Sequence, residues 1–151
     1  MDNKTTIKRL NQLIETCKDG EYGFRSCAEH AERSDLRTLF GNLSNECRDA
    51  GVELTAMVNS LGGDAEDSGS VSGALHRGWS TIRAELSSHT DEALLEACEK
   101  GEDIAVEHYR SALDEDDLLV EARQLINRQY MGVKDNHFKI RTLRDQARVH
   151  A

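Results

Sequence analysis

A chain of 151 residues is one domain's worth of polypeptide, and with 38% hydrophobic and 31% charged residues it can bury a core while staying polar outside. It has no proline, and Leu and Ala number 30 against 13 for Val and Ile, a bias toward helix formers that excludes an all-β sandwich or barrel. The formal charge of −9 repels phosphate backbones, and no apolar run approaches the roughly 20 residues needed to span a bilayer, so nucleic-acid and membrane partners are set aside.

The N-terminus, MDNKTTIKRL, lacks the apolar stretch of a signal peptide, and the expected location is cytoplasmic. From Ile7 the apolar residues recur every three or four positions through Leu10, Ile14, Cys17, Phe24, Ala28 and Ala31, which predicts a helix over about 4–32. Ser34 and Asp35 can cap a second helix, whose stripe runs from Leu36 through Leu43, Cys47, Leu54 and Leu61 to the stop at Gly62 and Gly63. The segment GGDAEDSGS over 62–70 reads as a loop. A shorter helix follows, carrying Val71, Leu75, Trp79, Ile82 and Leu86, with Trp79 as the residue that docks it.

Thr90, Asp91 and Glu92 signal the next helix start, because acids in a first turn meet the positive end of the helix dipole. That helix carries Leu94, Leu95, Cys98, Ala105, Tyr109 and Ala112; the acids Asp114 to Asp117 make a turn, and a last helix shows Leu118, Ala122, Leu125, Val133, Ile140 and Leu143. Two tight turns make two antiparallel hairpins, and the middle segment has to return the chain across the bundle. One long crossover is the ferritin-like arrangement; an up-and-down bundle with a fifth helix docked on its side is the alternative. The expectation is a single all-α, ferritin-like four-helix-bundle domain over 1–151, its crossover carrying an additional helix.

The cysteines Cys17, Cys27, Cys47 and Cys98 form no CxxC pair and no zinc-type spacing with histidine, so they read as reduced, mostly buried thiols. Two short runs echo one another: Cys17-Lys-Asp-Gly20-Glu21 and Cys98-Glu-Lys-Gly101-Glu102. Each sets a glutamate on the buried stripe, where a carboxylate is costly unless it is paired, protonated or bound to a metal. Each also sets a glycine inside a helix, at about 1 kcal/mol relative to alanine, which suggests close packing. Counting from the turns brings Glu46, with Asp49 one turn on, level with Glu21, and brings Gln129 level with Glu102.

Glu21, Glu46, Asp49, Glu102 and Gln129 are therefore the candidate metal ligands, and an oxygen-rich cluster suits hard or borderline cations. Di-iron bundles use one Glu from each of two helices and Glu-x-x-His from each of the others, and no Glu-x-x-His occurs here. The competing reading is metal-free: the two glutamates hydrogen-bond to Tyr22, Tyr109, Gln129 or water and fix helix register. The acid-rich stretch Glu85 to Glu121 and the Trp79 helix are then candidate contacts for a protein partner or a second copy.

The runs LNQLIETCKDGEYGFRSCAEHA, GSVSGALHRGW, CEKGEDIAVEHYRSAL and RQYMGVKDNH resemble an uncharacterised bacterial family of ferritin-like four-helix-bundle proteins of about this length. The resemblance spans essentially the whole chain, its most specific element being SGSVSGALHRGW. It implies a ferritin-like fold, a bacterial setting linked to stress responses, carboxylates at Glu21, Glu46 and Glu102, and iron as the metal, with oxygen or peroxide as reactant in an enzymatic version. Gln129 and the missing histidines depart from that pattern, and self-association is expected.

Overall fold

The computed structural model describes residues 3–65 and 90–149. Among the described residues there are four long helices and no strand: α1 Asn3–His30, α2 Ser34–Ser60, α3 Asp91–Leu113 and α4 Val120–Val149. All four expected long helices are present. The extra helix proposed over Val71 to Leu86, with Trp79, lies outside the described residues.

Local chemistry sets the helix ends, with one correction. Thr90 caps α3, its hydroxyl accepting from the Ala93 amide at 3.1 Å. Ser34 and Asp35 do not cap α2; the cap position is Arg33, without a side-chain hydrogen bond, and Ser34 is already helical. The free amides of that turn are instead taken from across the bundle, where the Asp91 carboxylate accepts from Glu32 N at 2.8 Å and Arg33 N at 3.2 Å. A first-turn acid of α3 therefore satisfies donors of the α1–α2 turn. After Ser60 the chain turns at Gly62, whose φ of +79° is a conformation that favours glycine.

Cross-helix bonds fix the directions. Thr6 Oγ1 at the start of α1 accepts from Leu119 N just beyond α3 at 3.0 Å, and Arg9 pairs with Glu115 at 3.1 Å, so α1 and α3 are antiparallel. Glu53 meets Arg128 at 2.6 Å and Glu46 meets Asn136 at 2.7 Å, so α2 and α4 are antiparallel too. With tight turns inside each hairpin, Ser60 and Asp91 come to opposite ends of the bundle.

The interior is divided. One apolar cluster gathers around Phe24, Phe40, Leu94, Leu95 and Ile140 at the α1–α2 turn end. The other gathers around Leu10, Ile14, Leu54, Tyr109 and Ile126 at the opposite end. Between them the helices enclose a polar space.

Candidate functional site

A cavity of about 520 Å³ lies between the two apolar clusters, bordered by all four helices. Its acidic lining is Asp19 from α1, Glu46, Asp49 and Glu53 from α2, Glu102 from α3 and Asp135 from α4, against the bases Arg128 and Lys139. Cys17, Cys47, His108 and Tyr109 complete its polar wall, and Phe24, Leu43, Ile104 and Val133 its apolar wall.

Glu102 is the most constrained of these. It is 4% exposed, and its Oε2 has no hydrogen-bond partner. Burial, then the charges of Glu46 and Asp103, push its carboxyl up to about 8, so it is neutral at pH 7 in the absence of a cation. Cys47, partly buried on α2, faces the same field: burial, Cys17, Glu102, Glu46 and Glu21 all hold its thiol well above the ordinary value. Gly20 makes its place, since a β-carbon there would lie 2.8 Å from Cys47 Sγ. The close packing expected of that helical glycine is present, and its partner is a thiol.

Gln129 sits in a closed chain of hydrogen bonds. Tyr109 Oη donates to Gln129 Oε1 at 2.7 Å, while Gln129 Nε2 donates to Ala50 O and Glu53 Oε1, both at 3.2 Å. Because the single Tyr109 proton goes to Gln129, the Cys17 thiol 3.6 Å away is the donor to Tyr109 Oη. Burial raises the Cys17 thiol to about 11. Glu53 in turn receives Arg128 at 2.6 Å, which holds its carboxyl below the ordinary value and leads the chain to the surface.

Glu46, Asp49, Glu102 and Gln129 border the cavity; Glu21, the remaining expected ligand, does not. Glu21 is partly buried at the edge of α1 and pairs with Arg25 at 2.5 Å. Glu46 and Asp49 are exposed at the rim, Glu46 accepting from Asn136 and Asp49 lying 3.5 Å from Arg48. Glu102 and Gln129 also stand at different levels. Tyr109 meets Gln129, so antiparallel register sets Glu102 near Asn136, about 10 Å along α4 from Gln129 at 1.5 Å per residue. The cause is the α3–α4 turn, which continues past Asp117 until α4 begins at Val120, with Leu118 buried in it.

Sequence reasoning missed Asp19, His108 and Cys47 as cavity residues. Asp19 is buried because α1 packs against both α2 and α3 and so buries a face wider than one stripe. His108 has its ring 2.8 Å from Thr16 Oγ1, and burial lowers its basicity. A separate cluster lies outside the cavity wall: Glu99, Asp103 and His137 bring donor atoms within 4.8 Å of one another. Its members are already matched, His137 with Asp103 and the buried Glu99 with Arg144.

The arrangement fits one cation better than two. A di-iron pair needs several carboxylates and histidines facing a common centre. Here Glu21 is turned to Arg25, Gln129 is committed to three partners and His137 faces Asp103. What remains are two buried carboxylates, Asp19 and Glu102, the latter with an unpartnered oxygen, and acids at the rim.

Among the described residues no helix is long and apolar enough to cross a membrane. No curated protein matches the chain. The profile of a domain of unknown function, DUF2383, matches residues 5–115, most of α1 through the end of α3, and the chain belongs to that family.

Proposed function

We propose that this protein is a ferritin-like bundle that takes up a single divalent metal ion in its central cavity, with Glu102 as the buried ligand and Glu46 and Asp49 turning in from the rim. The observation that carries this reading is the Glu102 Oε2, which sits without a partner in an acidic space large enough to admit an ion. A buried carboxyl that lacks a hydrogen bond loses roughly 1–3 kcal/mol, and a cation is the partner that the surrounding acids also favour. The oxygen donors suit a hard or borderline ion, and iron is the metal that the family resemblance implies. A bundle of this kind would serve bacterial stress physiology in the cytoplasm by holding a redox-active ion out of solution.

One observation favours a metal-free reading instead. The Cys17–Tyr109–Gln129–Glu53 chain satisfies its polar atoms without an ion, and with Glu102 protonated such a core would set helix register alone.

Anaerobic Fe(II) titration of the purified chain beside Glu102→Gln separates the two. Saturation near one ion per chain, lost in the variant and accompanied by a rise in Tm with metal, is the expected result. Equal weak binding by both proteins would leave the metal-free bundle.

A further inference from the structure

The cavity's donor set is not purely oxygen. Cys47 lines it together with the buried Glu102 of α3 and stands one residue from Glu46 on α2, and Gly20 provides the gap in α1 that lets the thiol sit there. The second thiol of the wall, Cys17, is engaged by Tyr109.

We propose that Cys47 is a metal ligand of this cavity, so that the site takes a thiophilic, borderline divalent ion of the Fe(II), Co(II) or Zn(II) class in preference to Mg(II) or Ca(II). The inference rests on the reading that the cavity binds a metal. Sulfur near 2.3 Å and carboxylate oxygen near 2.0–2.2 Å are the bond lengths to be met, and both ligands stand on helices that already face the space. Thiolate is a soft ligand that hard, oxygen-seeking ions do not select. On binding, the Cys47 sulfur forms the bond to the ion and its proton leaves to solvent. Glu46 releases Asn136 to turn inward.

Co(II) titration of the full reduced chain tests this, because a cobalt–thiolate bond gives a near-ultraviolet charge-transfer band. The expected result is a band that saturates with one Co(II), is absent in Cys47→Ser and persists in Cys17→Ser, with affinity at least tenfold weaker in Cys47→Ser. Thermal melts of each variant confirm that it is folded. Co(II) binding that needs Glu102 but shows no such band, or a band lost in Cys17→Ser alone, overturns Cys47 as a ligand while leaving a metal site. Binding no better than that of Glu102→Gln overturns the metal site itself.

Discussion

Cys47 Sγ lies 2.8 Å from where a β-carbon on Gly20 would stand, so the two helices of the first hairpin meet at a thiol seated on bare backbone. Gly20→Ala should therefore lower stability by about 1 kcal/mol, because overpacking outweighs the ~1 kcal/mol gain in helix propensity. Removing the thiol as well should reverse the sign. Denaturant melts of Gly20→Ala, Cys47→Ala and the double variant measure this, and the double variant should be more stable than Cys47→Ala alone. Simple additivity of the two changes would mean that the residues do not press on one another.

Glu102 makes stability depend on pH in an unusual direction. Its carboxyl keeps a proton up to about 8 in the native state, while its ordinary value is 4.5. Between those values the native state binds the extra proton, so Glu102's contribution is full below about 4.5 and is lost as pH rises through about 8, roughly 5 kcal/mol in all. Glu102→Gln, which cannot ionise, should lack this decline. Tm measured at pH 5, 7 and 9 without metal should fall more steeply in the natural chain, with the variant the more stable of the two at pH 9. Parallel curves would mean that Glu102 is ionised at neutral pH.

The helices were legible because a 3.6-residue apolar period survives in all four long segments, and Thr90 capped α3 as its sequence implied. The site was legible only in part. Glu102 is recognisable as a carboxylate on a core seam, but Gln129 is set opposite it only by counting from the acids of the α3–α4 turn. Backbone around Leu118 and Leu119 adds length there that composition does not announce, and every residue of α4 shifts accordingly. Glu21 was placed inward by its spacing from Ile14 and Ala28, yet the inward positions on α1 are Asp19, Gly20, Gly23 and Phe24. A helix with neighbours on two sides buries a broad face, and a single-stripe reading cannot tell the centre of that face from its edge. Cys47 passed as a small hydrophobe, although its match with the level of Gly20 was there to be read.

Gln129 tests the register that separates the Tyr109 hydrogen-bond chain from the level of Glu102. In Gln129→Glu the new carboxylate still accepts from Tyr109, but it can no longer donate to Ala50 O or Glu53 Oε1 and instead faces the Glu53 charge. The metal-free variant should lose roughly 2 kcal/mol, the scale of a buried acceptor left without its donor plus a like charge. Because Gln129 stands about 10 Å along α4 from the level of Glu102, divalent metal should stabilise the variant no more than the natural chain. Calorimetry with and without Co(II) reads both halves, and a larger metal response in the variant would bring position 129 within the ion's reach.

Arg144 is the remaining electrostatic hinge of the bundle. Its guanidinium meets the buried Glu99 carboxylate and also Asp145 at 2.8 Å, whose carboxyl it holds below the ordinary range. Arg144→Ala leaves Glu99, 8% exposed, as an uncompensated charge beside Leu95 and Cys98, and should cost about 3 kcal/mol. Replacing both members by leucine removes the charge together with its partner and should cost far less, since apolar side chains of similar size can fill that space at no desolvation penalty. The comparison of single and double variants at low and high salt distinguishes a buried pair from a surface one. A surface pair would weaken with salt and cost under 1 kcal/mol when broken, whereas the partly buried Glu99–Arg144 contact should hold most of its effect.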